Sequence, residues 1–367
     1  MGMMFFGLPG SSLASWNGFI CLDPVCGISR ILRLWLCILR IGPFSLSLSR
    51  SVRPDYGLDW REPPSCPMQV SVITVTYNSA ACIRECLKSA ATQQGIDAEI
   101  ILVDNASRDN TVEIARGFGG RVTVLANQQN VGFGIGCNQG FEISRGQFIY
   151  LLNPDAQLVT PNALSKLCAE LGRHPQWGMA GNRILSADGE LKDPPAIHYP
   201  NQGRVRADFS ELPGEIAWVL GASMIIRRDV YTEVGGFDPS FFLYGEEIDF
   251  CLRVRQHGHE IGYVDDVEVE HIGGASERGS DPYDVAARRI SGLHRFWQKH
   301  YAPDDVAYLI RRDQLRSGYR MAVYWMLSCG HAHDGKAWRK HRRYRAIWEV
   351  SSKFLAHHRE RGTNYNA

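Results

Sequence analysis

Continuous apolar, β-branched runs alternate with segments of helical periodicity from residue 69 onward. The runs VSVITVTYN, EIILVDNAS, RVTVLANQ and GQFIYLLNPD predict four buried strands, because parallel strands covered on both faces are apolar along their whole length. Helical spacing separates these runs over residues 80–91, 110–118 and 133–144. Strands that alternate with helices predict an α/β fold with a mostly parallel, Rossmann-like sheet flanked by helices.

Beyond residue 160 the predicted elements are spaced more widely. We predict a helix over 164–171, strands over 217–230 and 261–271, and basic, helical structure after Tyr301. Residues 188–213 are rich in Pro, Gly and polar side chains, which predicts a loop long enough to act as a mobile lid.

The N-terminal part of the chain shows no sustained period of strand or helix. We expect a poorly ordered extension there; the alternative is a basic amphipathic membrane anchor around residues 30–40. Met68 stands directly before the first clear strand, so we expect the natural start at Met68. The predicted organisation is an extension over 1–67, an α/β domain over 68–300 and a basic helical segment over 301–367.

Composition narrows the class of protein. A net charge of +1 over 367 residues gives no global field that would attract nucleic acid. The apolar runs are too short to span a membrane as a helix. The ten cysteines are scattered without a CxxC pair, which predicts reduced thiols in a cytoplasmic compartment and disfavours a zinc site.

Polar side chains follow three of the predicted strands. Because the carboxyl ends of parallel strands meet at one edge, this edge is the expected binding site. Asp104 there can accept hydrogen bonds from a base or a ribose, whereas we assign Asp109 to a cap or turn. The strand-end residues are Thr76, Tyr77 and Asn78, then Asp104 and Asn105, then Asn153 and Asp155.

One of these strand ends carries a candidate metal ligand, Asp155. Hard divalent cations such as Mg²⁺ or Mn²⁺ take oxygen ligands, often one or two carboxylates together with substrate phosphates. His271 ends the last predicted strand, just before two glycines, and is the candidate second ligand. The alternative for a single histidine at a strand end is a structural role.

The glycine run NVGFGIGCNQG contains Gly132, Gly134, Gly136 and Gly140. It resembles a phosphate-cradling loop at a helix N-terminus, although the strict GxGxxG spacing after a strand is missing. The alternative is close packing of a helix on the sheet.

The acidic pair Glu246 and Glu247 lies within GGFDPSFFLYGEEIDFCLRV, residues 235–254. Buried carboxylates are costly unless something uses them, so a pair beside an apolar run predicts a general base with a tuned pKa. A helix N-terminus also explains the pair, because acidic side chains favour the first turn. Both interpretations can hold together.

Seven motifs in this order resemble the family 2 glycosyltransferases of the GT-A fold, in particular their rhamnosyltransferase-like branch. The similarity runs from about residue 70 to about residue 300. The motifs are VSVITVTYN, VDNASRDNT, NVGFGIGCNQG, YLLNPDA, WVLGASMIIRR, GGFDPSFFLYGEEIDFCLR and EHIGGAS. The resemblance implies inverting transfer of a sugar, rhamnose being favoured, from a nucleotide-diphosphate donor to a glycan or lipid-linked acceptor in cell-surface polysaccharide synthesis.

The resemblance also assigns roles to residues. Glu247 would be the base with Glu246 beside it, and Asp155 and His271 would hold Mg²⁺ or Mn²⁺. Two departures matter: the DxD-type motif keeps one carboxylate, and Glu-Glu replaces Glu-Asp, which shifts the carboxylate by roughly an ångström or more. The implied donor-binding residues are Thr76, Tyr77, Asn78, Asp104, Asn105, Gly132, Asn138 and Asn153, and the implied acceptor-binding residues are Trp218, Gly221 and Ala222.

Two other classes of protein compete with this interpretation. A nicotinamide dehydrogenase needs a glycine fingerprint directly after the first strand, where the sequence reads TYNSAACIREC. A non-catalytic nucleotide-sugar or glycan-binding protein on the same fold is expected to lose the base or the metal acid. Both positions keep carboxylates, which favours an enzyme.

The segment KAWRKHRRYR, residues 336–345, is strongly basic with Trp338 and Tyr344 interleaved. It predicts peripheral contact with the anionic inner face of the cell membrane, where a lipid-linked acceptor would lie. A solvated helix face is the equally open alternative.

Overall fold

The computed structural model describes most of the chain after residue 69. The predictions for residues 1–67, and for a start at Met68, lie outside the described part. The described residues are 70–186, 188–191, 193–273, 280–328 and 335–360.

An eight-stranded sheet forms the centre of this part of the chain. The four strands predicted in the first half are confirmed, and they are β1 (Val70–Thr76), β2 (Ala98–Asp104), β3 (Val122–Ala126) and β4 (Phe148–Leu152). The later strands are β5 (Ala156–Leu158), β6 (Trp177–Leu185), β7 (Ser223–Arg227) and β8 (Glu260–His271). Their order across the sheet is β3-β2-β1-β4-β7-β6-β8-β5.

The sheet is mostly parallel, as predicted. Strand β7 runs antiparallel to both of its neighbours, and β5 runs antiparallel to β8. The other pairs are parallel, so six strands share one direction. Their carboxyl ends, including Thr76, Asp104, Leu152 and His271, therefore meet at the same edge.

Helices cover both faces of the sheet. Along β1, Val70 and Val72 belong to one core cluster while Ile73 and Val75 belong to the other, as the two-residue period of a strand requires. The helices are α1 (Ile83–Ala91), α2 (Thr111–Arg116), α3 (Phe133–Ile143), α4 (Ala163–Arg173), α5 (Arg228–Val234), α6 (Glu246–Gln256), α7 (Pro282–His300), α8 (Pro303–Ser328) and α9 (Lys336–Glu360).

Two strand predictions need correction. Strand β6 was not predicted, because two glycines and the polar pair Asn182-Arg183 interrupt its apolar pattern. The strand predicted over 217–230 is confirmed only over Ser223–Arg227. Its first residues pair instead with Ala196 in an isolated bridge, and helix α5 begins at Arg228.

The long loop over residues 188–213 is anchored at its second half. The Arg255 guanidinium donates hydrogen bonds to the Tyr199 hydroxyl (3.1 Å) and to the carbonyl oxygens of Leu212 (3.1 Å) and Pro213 (2.9 Å). The Tyr301 hydroxyl donates to the carbonyl of Pro200 at 2.7 Å. These contacts argue against a lid that moves freely from residue 199 onward.

The helices after residue 280 pack on the α/β domain. Phe241 and Leu252 share a buried cluster with Trp297 of α7, Leu309 of α8 and Leu355 of α9. All described residues belong to one compact unit. The helical C-terminal extension is thus confirmed, while the domain boundary at residue 300 stays a prediction.

Candidate active site

The ends of β1 and β2 are joined through the side chains of Thr76 and Asp104. These two residues are register partners, and the Thr76 hydroxyl donates to Oδ1 of Asp104 at 2.9 Å. Asp104 also accepts from the backbone N–H of Ser107 (2.9 Å) and from its hydroxyl (2.5 Å). Ser107 was not among the predicted site residues, and the structure makes it part of the strand-end network.

The two loops that follow these strands are cross-linked by Asn78. Its backbone N–H donates to the Ser107 hydroxyl at 2.8 Å, and its Oδ1 accepts from the backbone N–H of Arg108 at 2.8 Å. Asn78 has a φ of 51°, a left-handed conformation that asparagine tolerates better than most residues. Tyr77 beside it is 38% exposed, so its ring is accessible to a ligand at this edge.

Asn105 and Gly132 connect the end of β2 to the start of α3. The Asn105 amide donates to the carbonyl of Gly132 at 3.0 Å, and its oxygen accepts from Asn127 at 3.0 Å. Gly132 has a φ of 92°, and a Cβ there would lie 2.3 Å from the carbonyl oxygen of Phe242. Glycine is therefore required at position 132.

Two further glycines of this run pack α3 against the sheet. A Cβ at Gly136 would lie 2.8 Å from a Val75 methyl group, and one at Gly140 would lie 2.6 Å from an Ile73 methyl group. The close-packing interpretation is thus confirmed for these positions. Asn138 between them accepts from the Tyr231 hydroxyl (2.7 Å) and binds both backbone groups of Phe237.

The two predicted metal ligands lie side by side. Ala156 of β5 pairs with His271 of β8, which brings Asp155 next to the imidazole. His271 Nε2 lies 3.2 Å from Oδ1 of Asp155, and both side chains are largely buried. Sheet register therefore unites two residues that are far apart in the sequence.

A second set of contacts connects the end of β4 to the acidic pair. The backbone N–H of Asn153 donates to the carbonyl of Ala222 at 2.9 Å. Gly221, directly before Ala222, packs against Glu247, since a Cβ at Gly221 would lie 3.2 Å from the Cβ of Glu247. The Ala222 side chain itself is buried, while Trp218 is half-buried.

The acidic pair occupies the first turn of α6, as the helix N-terminus interpretation requires. Oε2 of Glu247 accepts a hydrogen bond from the backbone N–H of Gly245 at 3.1 Å. Burial raises the pKa of Glu247 above its ordinary value, against the opposing effect of this and neighbouring backbone N–H groups. Burial, and then the charge of Glu247, raise the pKa of Glu246 well above its ordinary value.

The two glutamates differ in their surroundings. Glu246 is 4% exposed, and within the described chain its Oε2 has no hydrogen-bond partner. Glu247 is half-buried. Because a backbone N–H donates to the carboxylate of Glu247 and Oε2 of Glu246 has no such donor, Glu247 is the better placed of the two to carry a negative charge.

Comparison with known proteins matches part of the chain to a family. The sequence profile of the family described as "Glycosyl transferase family 2" matches residues 71–235. Residues 71–235 are a family 2 glycosyl transferase domain. The predicted family and a glycosyltransferase activity are thereby confirmed for this part of the chain.

This glycosyltransferase is similar to several named proteins at low identity. It is 27% identical over 289 residues to the "N-acetylglucosaminyl-diphospho-decaprenol L-rhamnosyltransferase" of Mycobacterium tuberculosis (strain ATCC 25618 / H37Rv), covering 70% of this chain and 88% of the relative. It is 26% identical over 215 residues to "Glycosyltransferase AglE" of Haloferax volcanii, covering 54% of this chain and 65% of the relative.

A mannosyltransferase from Pyrobaculum calidifontis, solved in complex with GDP-Man and Mn²⁺, superimposes on the glycosyltransferase with a TM-score of 0.48 and 18% identity. The superposition covers 82% of this chain and 80% of that one. The family profile ends at residue 235, eleven residues before the acidic pair. The roles of Glu247 and His271 therefore depend on the geometry of this site.

A buried ion network in the glycosyltransferase was not predicted. Asp249, one helical turn after Glu246, accepts from Arg253 at 2.8 Å and lies 2.8 Å from Lys299 Nζ and 2.7 Å from His300 Nε2. Burial by itself raises the pKa of Asp249, but hydrogen bonds from His300 and Lys299 bring it below its ordinary value. The network clamps the first turn of α6 to the end of α7.

Proposed function

We propose that this glycosyltransferase moves a sugar from a nucleotide-diphosphate donor to a hydroxyl group of a glycan or lipid-linked acceptor, with inversion at the anomeric carbon. L-rhamnose is the favoured sugar, since the sequence resembles the rhamnosyltransferase-like branch and the relative from M. tuberculosis carries that name. The product would belong to a cell-surface polysaccharide.

The observation that carries this proposal is the placement of Glu247. Its side chain packs on Gly221, and the next residue, Ala222, is hydrogen-bonded to Asn153 at the end of β4. Asp155 follows two residues later beside His271. The packing of Glu247 on Gly221 and the hydrogen bond between Ala222 and Asn153 therefore connect the Glu247 carboxylate to the strand end where a donor diphosphate would lie.

Glu247 would act as the general base. The acceptor hydroxyl loses its proton to Glu247 as its oxygen attacks the anomeric carbon, and the bond between that carbon and the diphosphate breaks. A raised pKa brings the carboxyl closer to neutral pH and strengthens it as a proton acceptor. One displacement gives inversion without a covalent enzyme intermediate.

The donor would lie across the ends of β1 and β2. Tyr77 offers an exposed aromatic ring, and Asn78 an exposed amide, for the nucleotide. Thr76 and Asp104 are buried and bonded to each other, so they would hold the shape of this edge. Asn138 is committed to Tyr231 and Phe237, and we leave it out of the donor site.

Asp155 and His271 fit a divalent cation as its protein ligands. In the described chain no group of three or more His, Cys, Asp or Glu side chains is arranged to hold a metal. Two protein ligands suit Mg²⁺ or Mn²⁺ sites that take the remaining oxygens from substrate phosphates and water. Such a cation, when bound, would neutralise charge that develops on the leaving diphosphate.

A donor screen tests the proposal. Release of nucleotide diphosphate would be measured with dTDP-, UDP- and GDP-sugars, each with and without a polyprenyl-diphosphate-linked sugar acceptor. We expect release that depends on acceptor and is fastest with dTDP-rhamnose. A faster reaction with another donor would correct the sugar alone. The absence of acceptor-dependent release with every donor would contradict the proposed reaction.

A further inference from the structure

Helices α8 and α9 form an antiparallel hairpin. Gln314 donates to Ser352 at 2.9 Å, and nearer the other end Lys340 Nζ lies 3.3 Å from the Tyr324 hydroxyl. The paired residues are 38 apart in sequence at the first contact and 16 apart at the second. The end of α8 and the start of α9 therefore lie at the same end of the hairpin. The stacked rings of Tyr324 and Tyr344, 5.6 Å apart, hold the two helices together there.

The end of α8 exposes three consecutive large apolar side chains. Trp325 is 58% exposed, Met326 is 60% exposed and Leu327 is 56% exposed. Consecutive residues of a helix point about 100° apart, so these three side chains surround the end of α8. Several large apolar side chains exposed at one end of a hairpin are typical of a contact surface. Something apolar would cover these residues in the working protein.

Positive charge surrounds the same end of the hairpin. From residue 314 to residue 345 the sequence has eight Lys or Arg residues and one acidic residue, Asp334, although the whole chain has a net charge of only +1. Lys336, Arg339 and Lys340 in the first turns of α9 are exposed.

Two other cations of the predicted basic segment have a different role. Arg342 forms an ion pair with Asp281, and Arg345 forms one with Glu349 at 2.7 Å. Arg342 thus connects α9 to the start of α7, and Arg345 forms its ion pair within α9. The basic segment therefore contains two cations held in ion pairs and three others whose side chains are exposed at the surface.

We propose that the hairpin tip docks on a lipid bilayer that contains anionic lipid. The hairpin tip consists of Trp325, Met326, Leu327, Lys336, Arg339 and Lys340. Its apolar side chains would enter the boundary between headgroups and acyl chains, and its cations would bind the anionic headgroups. No helix within the described part of the chain is long and apolar enough to cross a membrane, so the contact is a surface one.

The charge of the tip selects this partner over a second copy of the chain. Two tips that each present three exposed cations would repel one another, whereas an anionic bilayer attracts all of them. The docking goes beyond the proposed transfer reaction. Vesicle binding is measured without donor or acceptor, so a failure of the docking proposal can be distinguished from a failure of the proposed sugar transfer.

Co-sedimentation of the full chain with vesicles tests the proposal. One variant carries Trp325→Ser, Met326→Ser and Leu327→Ser, and another carries Lys336→Ser, Arg339→Ser and Lys340→Ser. The matched control removes three exposed cations that are far from the hairpin tip in the sequence, with Arg84→Ser, Lys88→Ser and Arg116→Ser. Vesicles are pure phosphatidylcholine or phosphatidylcholine with phosphatidylglycerol.

We expect the wild type and the control to bind the vesicles that contain phosphatidylglycerol, and binding to fall at high salt. Loss of the three cations should weaken binding on the order of a hundredfold. The apolar variant should also lose binding, with its melting temperature unchanged because the replaced side chains are exposed. A second cation variant, Lys336→Gln with Lys340→Gln, repeats the test should the Ser variant fold poorly.

Three results would overturn the proposal. The first is equal binding to neutral and anionic vesicles, or no binding to either. The second is binding by the tip variants at the wild-type level, which would assign any membrane contact to another part of the chain. The third is a stable dimer in light scattering that the apolar variant dissociates, which would make a second copy the occupant.

Discussion

Glu247 lies directly against Gly221, so closely that a Cβ added at Gly221 would be 3.2 Å from the Cβ of Glu247. The Gly221→Ala variant should therefore displace the carboxylate by a few tenths of an ångström. We expect turnover to fall about tenfold or more, because reacting groups tolerate little misplacement. Steady-state kinetics and a thermal melt on the same preparations check this.

The matched control for this prediction is Gly172→Ala. Gly172 lies in α4, and a Cβ there would meet nothing within 4 Å. Alanine in a helix should keep activity and stabilise the fold by about 0.5–1 kcal/mol. If Gly221→Ala turned over as fast as the wild type, the claim that a side chain at position 221 displaces the Glu247 carboxylate would be contradicted.

The pH dependence of the reaction should report the acidic pair. Burial raises the pKa of Glu247, and the base acts only when deprotonated. The value of kcat/KM should therefore fall as pH decreases through a pKa above the ordinary 4.5 of glutamate. A profile measured from pH 4.5 to 8 checks this, and a profile with no acid limb in that range would contradict a buried carboxyl as the base.

The response to metal should depend on Asp155 and His271. Asp155→Ala should weaken donor binding and abolish the stimulation by Mn²⁺ or Mg²⁺, because one of two protein ligands is lost. Isothermal titration with the nucleotide diphosphate, with and without metal, measures this. The control is His259→Gln, which breaks a comparable imidazole–carboxylate contact with Glu233 (2.9 Å) away from the strand ends.

Activity of the wild type that EDTA leaves untouched would contradict the metal role. Cationic side chains would then have to stabilise the leaving diphosphate.

His294 should make the fold sensitive to acid. Its side chain is buried between Trp297 and Phe354, and within the described residues neither ring nitrogen has a hydrogen-bond partner. Burial lowers the pKa of His294 from 6.5 to about 4. The unfolded chain therefore binds this proton more tightly, so stability is complete above pH 6.5 and falls as pH decreases from 6.5 to 4.

The His294→Leu variant should remove this dependence, which amounts to about 3 kcal/mol across that interval and to about 2 kcal/mol between pH 7 and pH 5. Urea unfolding at pH 7 and pH 5 measures it, with His257→Leu on the exposed end of α6 as the control. A loss of stability at pH 5 as large in His294→Leu as in the wild type would show that other groups are responsible.

The strands and the strand-end residues could be predicted from the sequence because burial on both faces leaves a continuous apolar run. Strand β1 is buried at all seven positions and was predicted directly. Strand β6 was missed because Gly181 serves close packing, with a Cβ there only 2.7 Å from a Val219 side-chain atom. A glycine that makes room for a neighbouring side chain interrupts the apolar pattern of its own strand.

The contacts that join the site were beyond prediction from the pattern. The approach of Gly221 to Glu247 depends on the turn before β7, and residues 217–220 looked like strand. Asp249 looked like part of an acidic first turn, but Lys299 and His300 complete its network from the end of another helix. Such pairings depend on how helices dock, which local periodicity does not determine.

Single-turnover transfer by Glu247→Gln is the most direct test of the central claim, that Glu247 takes the acceptor proton. We expect a rate reduced on the order of 10²–10⁴-fold, with donor affinity and melting temperature close to those of the wild type. Glu113→Gln, which changes an exposed side chain on α2, serves as the control and should transfer normally. Near-normal transfer by Glu247→Gln would show that Glu247 is not the base.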